Sequence, residues 1–457
     1  MKERETLGSR MGFILLSAGC AIGIGNVWRF PYMVGENGGG LFVIAYVVFL
    51  LILGVPIMTM EYAIGRSSRR SILSALRMLE PKDTKWHLFG HVAIAGNYLL
   101  LMFYSVVSGW ILRYFVLTVS GGFVGKNPDD ISVIYQDMMD SPMTMILFMA
   151  ITMVITVIVT SMGLEAGVER VTKVMMVALI IIMIGLGVKS LSLPGASEGV
   201  KFYLMPNAEN VRKVGLGNVL YGALNQSFFT LSLGIGSMEI FGSYIKKERS
   251  LVGEAFIVAG LDTFVAIVAG LITIPACFAF GVAPDKGPSL MFLTLPNVFA
   301  SMKGGRIIGS FFFLFMYFAA LSTMIGVFEN DVSFSMDLFG RNRKKAALGA
   351  GILITLGSIP CALGFNVWSA FQPLKAGNVI MDLEDFIVSN LMLPIGAFIM
   401  CLFCTCRYGW GFDNYIEEVN SGNGIKINPA LKWYFKIVLP LILAFIAIYG
   451  LWGYFAG

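Results

Sequence analysis

The chain has 457 residues, of which 57% are hydrophobic and 13% are charged, and its formal net charge is +5. Soluble domains usually carry about 25% charged residues, so this composition excludes a soluble enzyme, a nucleic-acid-binding protein and a disulfide-stapled secreted domain. It is typical of a membrane protein whose helices cross the bilayer core, which takes roughly 20 apolar residues per helix.

Eleven segments are predicted to cross the membrane. Eight of them contain no Asp, Glu, Lys or Arg: 41–60, 88–112, 141–164, 214–238, 307–328, 346–374, 386–406 and 437–457. The other three are less apolar or shorter: 11–34, which carries Arg29, 174–188, which lies between two lysines, and 255–282, which contains Asp262. The first segment has no cleavage site after a short apolar core, so it is predicted to be a retained helix.

Basic residues in the loops give the predicted orientation, because Lys and Arg accumulate on the cytoplasmic side. The basic loops follow the second and eighth segments and contain Arg66, Arg69, Arg70, Arg77, Lys82 and Lys85, and Arg341, Arg343, Lys344 and Lys345. The N-terminus is therefore predicted to be cytoplasmic and the C-terminus extracellular or periplasmic. The expected location is the inner (plasma) membrane.

Cysteine and histidine residues give only weak metal signals. Cys401, Cys404 and Cys406 form a CxxCxC run, but no fourth ligand is evident, and small residues also suit helix interfaces. His87 and His91 are four residues apart, without the glutamate of a zinc-protease motif. Both groups are interpreted as packing residues.

Glycine placement is the most informative pattern. A Gly-Ile-Gly sequence occurs at 23–25 in the first segment and again at 234–236 in the sixth. Paired glycine interruptions in corresponding segments of two halves indicate a transporter site built on an inverted repeat. The alternative is a pair of closely packed small-residue helices.

A helix break inside a membrane also has a chemical consequence. It frees carbonyl and amide groups that lipid cannot satisfy, so the break must face protein, ions or water. Freed carbonyl oxygens suit a hard cation, and the amino ends of half-helices suit a carboxylate. Na⁺ together with a substrate that carries a carboxylate would satisfy both kinds of group.

Several residue groups, in a fixed order along the segments, strengthen this interpretation. They are Gly25-Asn26-Val27-Trp28-Arg29-Phe30-Pro31-Tyr32 and Glu36-Asn37-Gly38-Gly39-Gly40, Gly54-Val55-Pro56 with Glu61 and Gly65-Arg66, Tyr104 with Trp110, Gln226 to Gly236 with Ser243-Tyr244, Ala319-Ala320-Leu321-Ser322-Thr323, and Asp385-Phe386. With these motifs the chain resembles the neurotransmitter:sodium symporter family, up to about residue 406.

The resemblance implies an all-α polytopic membrane protein with eleven transmembrane helices. A 5+5 inverted repeat with broken helices 1 and 6 would form one transporter domain over residues 1–457, with one additional peripheral helix. The first repeat would cover about 11–190, the second about 214–406, and the extra helix about 432–456. Members of the family usually have twelve helices, so this chain would correspond to the shortened bacterial members.

The resemblance also implies two sodium sites and a substrate pocket. The first sodium site would use Ala21, Asn26, Thr230 and Asp262 with the substrate carboxylate. The second would use Gly19, Ile22, Ala319, Ser322 and Thr323. The pocket would be lined by Cys20, Ala21, Gly25, Leu100, Tyr104, Phe229, Ser232, Ile235, Thr323 and Val327.

The resemblance implies the substrate class through three features of the pocket. Tyr104 would hydrogen-bond the substrate carboxylate. Monoamine-transporting relatives carry an aspartate where Gly23 stands, so Gly23 favours an amino acid. The side-chain subsite of Leu100, Ile235, Met324 and Val327 is apolar, and a charged side chain would be buried there without a partner.

Two gates are implied as well. Arg29 would pair with Asp385 above the substrate and close the outside. Arg4 would pair with Asp337 near the cytoplasm, supported by Ser243 and Tyr244. The alternative for Arg4 and Asp337 is that they are solvated flanking charges of the kind that orient membrane helices.

The predicted function is sodium-coupled uptake of a hydrophobic or aromatic L-amino acid by alternating access, and the protein is not expected to be an enzyme. Asp262 would supply the negative charge that chloride provides in relatives with Asn or Ser here, so transport is expected to be chloride-independent. The alternative is a proton-coupled carrier of the same architecture, in which Glu61 or Asp262 titrates. The expected partners are the amino acid, Na⁺ and the lipid bilayer, with no organic cofactor and no nucleic acid.

Overall fold

Helices make up the regular structure of the computed structural model, which describes residue 5 and residues 7–281 and 290–456. Outside the helices, the described residues contain an isolated β-bridge between Arg249 and Asn423. In chain order the helices are α1 (Arg10–Ala21), α2 (Gly25–Glu36), α3 (Gly40–Ser68), α4 (Ile72–Leu79), α5 (His87–Val119), α6 (Pro128–Asp140), α7 (Pro142–Ser161), α8 (Leu164–Leu191), α9 (Ala196–Leu204), α10 (Ala208–Val214), α11 (Leu216–Phe229), α12 (Ser237–Gly242), α13 (Leu251–Ala279), α14 (Leu290–Ser301), α15 (Gly305–Phe339), α16 (Arg343–Leu363), α17 (Ile380–Thr405), α18 (Phe412–Val419) and α19 (Leu439–Ala456).

Nine helical segments within the described residues are long and apolar enough to cross a membrane. They are α3, α5, α7, α8, α13, α15, α16, α17 and Pro429–Leu451, which includes most of α19. Helices α1 and α2 together are also long and apolar enough to cross a membrane, although the chain bends by 55° between them. The remaining predicted segment, 214–238, is divided into α11 and α12.

Three predicted segment boundaries are wrong by about ten residues. Helix α8 begins at Leu164, and the exposed Lys173, where the predicted segment stops, lies within the helix. Helix α15 continues to Phe339 through the buried acids Glu329 and Asp331, which a search for charge-free segments treats as an end. Helix α16 ends at Leu363 and does not reach 374. It ends where the Asn366 side-chain amide donates to the Met139 carbonyl at 2.8 Å.

Side-chain caps fix the starts of three helices at one end of the bundle, which is called the N-terminal face below. Ser9, Ser250 and Asn342 each accept a hydrogen bond from a backbone amide in the first turn of α1, α13 and α16, respectively. Such caps satisfy amides that have no partner within the helix. An Arg10–Glu254 ion pair of 2.8 Å joins the starts of α1 and α13.

Helix α15 lies at the centre of the fold. In the most apolar 18-residue stretch of α15, 83% of the residues are buried. The corresponding fraction for Pro429–Leu451, at the periphery, is 33%. It packs against α1, α5, α8 and α16. The two broken segments therefore lie in the interior, where polar side chains from neighbouring helices can reach their freed backbone groups.

Candidate substrate and sodium site

The first break lies between Ala21, where α1 ends, and Gly25, where α2 begins with a π-helical turn. Ile22 adopts an extended conformation with ψ of 97°, so carbonyl groups near this point leave the helical ladder. The Thr323 hydroxyl on α15 donates to the Gly19 carbonyl at 3.3 Å and to the Ile22 carbonyl at 3.1 Å.

The neighbouring residue on α15 completes this group of oxygens. The Ser322 hydroxyl lies 3.0 Å from the Ala319 carbonyl, and a Cβ atom at Gly19 would lie 3.3 Å from the Ser322 Cβ. The five residues predicted for the second sodium site are therefore neighbours in space: Gly19, Ile22, Ala319, Ser322 and Thr323. Hydroxyl and carbonyl oxygens are hard ligands, which suit Na⁺ as they suit other hard cations.

The Asp262 carboxylate connects the two broken segments. It is fully buried in α13 and accepts hydrogen bonds from Asn26 Nδ2 at 2.8 Å and from the Thr230 hydroxyl at 2.9 Å. Tyr46 on α3 donates to the same carboxylate at 3.2 Å. Three of the four residues predicted for the first sodium site, Asn26, Thr230 and Asp262, are thus brought together. Tyr46 is a further contact that sequence reasoning missed.

Tyr104 and Gly23 meet at the centre of the first break. The Ile24 amide donates to the Tyr104 hydroxyl at 2.9 Å. A Cβ atom at Gly23 would overlap both this hydroxyl and the Thr323 Oγ1 atom. No side chain fits at position 23 without displacing Tyr104 or Thr323, so the protein cannot supply a carboxylate from this position in the present conformation.

A cavity of about 210 Å³ opens beside Tyr104. It is lined by Ile24, Gly25, Trp28, Arg29, Tyr32, Phe103, Tyr104, Val107, Phe229, Met381, Asp382 and Asp385. Three of the predicted substrate residues, Gly25, Tyr104 and Phe229, are among them. The cavity combines aromatic walls with charged groups at its rim, as expected for a small zwitterionic ligand.

The other seven predicted substrate residues do not line this cavity. They are Cys20, Ala21, Leu100, Ser232, Ile235, Thr323 and Val327. Ser232 is half-buried and the other six are buried. The predicted apolar subsite is therefore closely packed in this conformation.

The second break covers residues 230–236, between α11 and α12. Ser232, Gly234 and Gly236 all have positive φ values, of 51°, 100° and 75°. The Glu61 carboxylate on α3 accepts from the Gly234 amide at 2.6 Å and from the Met238 amide at 3.1 Å. Sequence reasoning missed this supporting role of Glu61, although an acid within an apolar segment is a signal of function.

Side-chain amides satisfy freed carbonyl groups around both breaks. Asn97 donates to the Ile235 carbonyl at 2.8 Å, and Asn330 donates to the Gly236 carbonyl at 3.3 Å. Gln226 on α11 donates to the Gly25 carbonyl at 3.0 Å and so connects the second broken segment to the first. Gln226 belongs to a motif noted in the sequence, but the contacts of all three amides were not predicted.

Arg29 and Asp385 both line the cavity, but they do not form the predicted ion pair in this conformation. The Arg29 guanidinium lies over the Phe229 ring, with its central carbon 4.0 Å from the ring centroid. Asp385 accepts a hydrogen bond from the Ser389 hydroxyl at 2.6 Å. The two charges lie on either side of an open cavity.

At the N-terminal face, Asp337 accepts from the Ser71 amide at 2.7 Å and lies 3.7 Å from the Arg70 guanidinium. Its predicted partner, Arg4, lies outside the described residues. Tyr244, the other predicted gate residue, is buried and donates to the Glu329 carboxylate at 2.8 Å.

A network of charged residues that sequence reasoning missed surrounds the buried Glu329. Arg343 pairs with Glu329 at 2.6 Å and with Glu5 at 2.7 Å. Nearby, Glu169 accepts hydrogen bonds from the Gly8 amide and the Ser9 hydroxyl, both at 2.8 Å. In the sequence Arg343 is one of four bases in a loop, and only the fold brings it to a buried acid.

Comparisons with known proteins agree with this architecture. The model of the sodium:neurotransmitter symporter family matches residues 4–125 and 130–456. An uncharacterized sodium-dependent transporter, YhdH, of Bacillus subtilis is 34% identical over 99% of both chains. A similar transporter of Haemophilus influenzae is 31% identical over 98% of this chain and 99% of its own.

A solved structure is equally similar. The crystal structure of MhsT in complex with L-phenylalanine has a TM-score of 0.87 and 35% identity, and the match covers 97% of this chain and 99% of MhsT. These matches confirm the predicted resemblance, the all-helical multi-pass membrane fold and sodium-coupled symport. The chain belongs to the sodium:neurotransmitter symporter family, whose members are transporters and not enzymes.

Proposed function

We propose that the protein takes up a hydrophobic or aromatic L-amino acid together with Na⁺ by alternating access. The observation that carries this proposal is the arrangement around Asp262, where Asn26 of the first broken segment and Thr230 of the second meet one buried carboxylate at 2.8 and 2.9 Å. A cation at this point would replace side-chain donors as the partner of the carboxylate. Binding would then fix the two broken segments relative to each other.

Two sodium ions are proposed. The first would be held by the Ala21 carbonyl, Asn26, Thr230, Asp262 and the carboxylate of the substrate. The second would be held by the oxygens around Thr323, whose hydroxyl already lies within 3.3 Å of the Gly19 and Ile22 carbonyls. Because the first ion and the substrate carboxylate share a site, each would increase the affinity for the other.

The substrate carboxylate would bind to the Tyr104 hydroxyl. Since the Tyr104 oxygen accepts from the Ile24 amide, its own proton can be donated to a carboxylate. Gly23 leaves no room for a protein carboxylate, so this charge would come with the ligand. The complex of MhsT with L-phenylalanine supports an amino-acid substrate of this class.

Chloride independence is proposed because Asp262 supplies a fixed negative charge beside the first sodium ion. An unpaired cation buried in this place would be costly, and a carboxylate meets that need without an added anion. Unlike chloride, the carboxylate cannot leave with the cargo. It would take up a proton on the return step, so low internal pH is expected to stimulate transport.

The proposed cycle uses the two ends of the molecule in turn. The N-terminal face would be cytoplasmic and the cavity between Arg29 and Asp385 would open to the outside. Two repeats, at about 11–190 and 214–406, would each contribute one broken segment to the moving parts. The buried Arg343–Glu329 pair of 2.6 Å would keep the inside closed, together with the proposed Arg4–Asp337 gate.

The second candidate is a proton-coupled carrier, which the burial of Asp262 and Glu61 favours. Both Glu61 oxygens accept backbone hydrogen bonds in the second break, which is a structural role that does not require titration. The proton-coupled alternative therefore depends on Asp262 alone.

The experiment is uptake of labelled L-phenylalanine into proteoliposomes under inward gradients of sodium chloride, sodium gluconate or potassium chloride, with a proton gradient as a fourth condition. Uptake is expected in both sodium buffers and in neither of the other conditions. Uptake driven by the proton gradient without sodium would support the second candidate. Uptake lost only in gluconate would contradict chloride independence and leave sodium coupling intact.

Asp262→Asn is expected to gain a chloride requirement in the same experiment.

A further inference from the structure

Asp331 is a buried acid that the proposed cycle does not use. It lies in α15 and is completely buried. Neither of its carboxylate oxygens has a hydrogen-bond partner among the described residues. The other acids discussed above, Asp262, Glu61 and Glu329, all accept hydrogen bonds from neighbouring groups.

Leaving a polar group buried without a partner is costly, and a buried charge costs more. Acidic residues inside a membrane-spanning helix are therefore expected to serve a ligand or a partner. No neighbouring cation pairs with Asp331 in the part of the chain that the structure describes. The partner of this group is then expected to be a molecule that enters the protein.

The position of Asp331 on α15 indicates where such a molecule would come from. Met324, Val327 and Asp331 are separated by three and four residues, so they follow one face of the helix. The first two belong to the proposed subsite for the substrate side chain. Asp331 lies one turn farther along, roughly 6 Å from Val327 along the helix axis.

Side-chain direction reduces this separation. In a helix, long side chains lean toward the helix N-terminus, and the N-terminal end of α15 lies on the cavity side of Val327. Every Cα–Cβ bond in a helix tilts the same way, so the Asp331 carboxyl group is expected to lean toward the subsite. Helix α5 packs along α15, so α5 borders the same space.

The surroundings at this level are polar, whereas the subsite is apolar. Asn97 and Asn330 hold the Ile235 and Gly236 carbonyls, and the Ser237 hydroxyl donates to Asn97 at 3.2 Å. The Asn330 side-chain oxygen, next to Asp331 in the chain, also has no partner within the described residues. An apolar subsite that ends in a polar layer fits a side chain that is apolar along its length and polar at its tip.

We propose that Asp331 accepts a hydrogen bond from the far end of the substrate side chain, and that the transporter therefore prefers aromatic amino acids whose ring carries a terminal donor. The proposal rests on the proposed function, since it requires Met324 and Val327 to line the subsite. A phenol hydroxyl is the simplest such donor. A phenyl ring would leave the Asp331 carboxyl group without a partner, and a site built for a hydrogen bond discriminates against ligands that lack it.

The test compares sodium-dependent binding of L-tyrosine, L-phenylalanine and O-methyl-L-tyrosine to the full-length protein. The third ligand keeps the oxygen but has no donor. Tyrosine is expected to bind at least about tenfold more tightly than either of the others, which corresponds to a hydrogen bond to a charged group. In Asp331→Leu this preference is expected to disappear while phenylalanine affinity is retained or improved.

Two further variants separate the possible explanations. Asp331→Asn keeps a carbonyl acceptor and is expected to retain part of the preference. Ser335→Ala, one turn farther along α15, is the matched control and is expected to retain all of it. An unchanged tyrosine preference in Asp331→Leu, or equal binding of the three ligands by the unmodified protein, would overturn the proposal.

Failure of the proposed function would give a different result. If none of the three ligands binds in a sodium-dependent way, sodium-coupled amino-acid binding is wrong and Asp331 is not tested by selectivity alone. The unfolding temperature of Asp331→Leu then decides. Replacing a buried acid that has no partner with an apolar side chain should raise this temperature. An unfolding temperature no higher than that of the unmodified protein would also contradict the proposal.

Discussion

The two helix breaks have similar sequences but are held in different ways. At the first break, freed carbonyl groups of Gly19 and Ile22 face the hydroxyl of Thr323. At the second, amide groups of Gly234 and Met238 face the carboxylate of Glu61. Carbonyl groups of the first break thus face a neutral hydroxyl, whereas carbonyl groups of the second are bound by the Asn97 and Asn330 amides and two of its amides are bound by an acid.

The difference separates a ligand site from a support. A hydroxyl can turn away when a cation arrives, so the oxygens of the first break remain available. The amides of the second break are fully used by a charged side chain. We therefore expect substitutions of the groups around the first break to change ligand affinity, and substitution of Glu61, which holds the second break, to change stability without ligand.

The largest effect is expected from Glu61→Ala. It would leave the Gly234 and Met238 amides buried without partners, at about 1–3 kcal/mol each. Thermal unfolding of the detergent-purified protein without ligand is expected to shift to a lower temperature. Glu61→Gln retains one acceptor oxygen, so its unfolding temperature should lie between those of Glu61→Ala and the unmodified protein. An unfolding temperature of Glu61→Ala equal to that of the unmodified protein would contradict the supporting role.

Tyr104→Phe comes next and acts on the ligand. Loss of a hydrogen bond to a charged group is expected to weaken substrate binding by about 1.5–3 kcal/mol. Isothermal titration in saturating sodium measures this change, and unfolding without ligand should change little. If the affinity for substrate is unaffected, Tyr104 does not contact the carboxylate.

Gly23→Ala tests the space at the first break. The added Cβ would overlap the Tyr104 hydroxyl and Thr323 Oγ1, and overpacking of this kind costs about 1–3 kcal/mol. Binding of both substrate and sodium is expected to weaken. Gly185→Ala is the matched control, because nothing lies within 4 Å of a Cβ atom at Gly185. Equal behaviour of the two variants would refute the crowding at Gly23.

The smallest effect is expected from Thr323→Val, which removes one hydroxyl and nearly preserves the shape of the side chain. An ordinary hydrogen bond contributes about 0.5–1.5 kcal/mol, so sodium affinity should fall by a similar amount. Sodium titrations of fluorescence in the presence and absence of substrate measure this effect. If Thr323→Val changes the unfolding temperature but not the sodium affinity, Thr323 supports the first break and does not bind the ion. The two breaks would then be held in the same way.

Local sequence patterns predicted much of this site. The two Gly-Ile-Gly sequences marked the breaks, and the motifs around Asn26, Tyr104 and Thr323 indicated the residues that gather there. The contacts of Tyr46 and Glu61 could not be predicted, because they depend on which distant side chains approach within about 3 Å. The end of α15 was misjudged for a related reason, since a buried acid such as Glu329 is compatible with a helix once it has a partner.

The predicted Arg29–Asp385 pair depends on conformation and not only on fold. Both residues reach the same cavity, yet Arg29 stacks on Phe229 and Asp385 bonds to Ser389. The sequence motifs indicated that Arg29 and Asp385 lie at the same site, whereas their pairing as a gate stays a prediction.

The attachment of the N-terminal segment determines how the protein should be labelled and purified. Gly8 and Ser9 are bound to Glu169, and Glu5 is bound to Arg343, so the residues just before α1 are anchored at several points. A bulky affinity tag fused at this end would compete with those anchors and is expected to favour opening of the N-terminal face. The C-terminal helix lies at the periphery of the bundle, so a tag or fluorophore there should leave the conformational equilibrium unchanged.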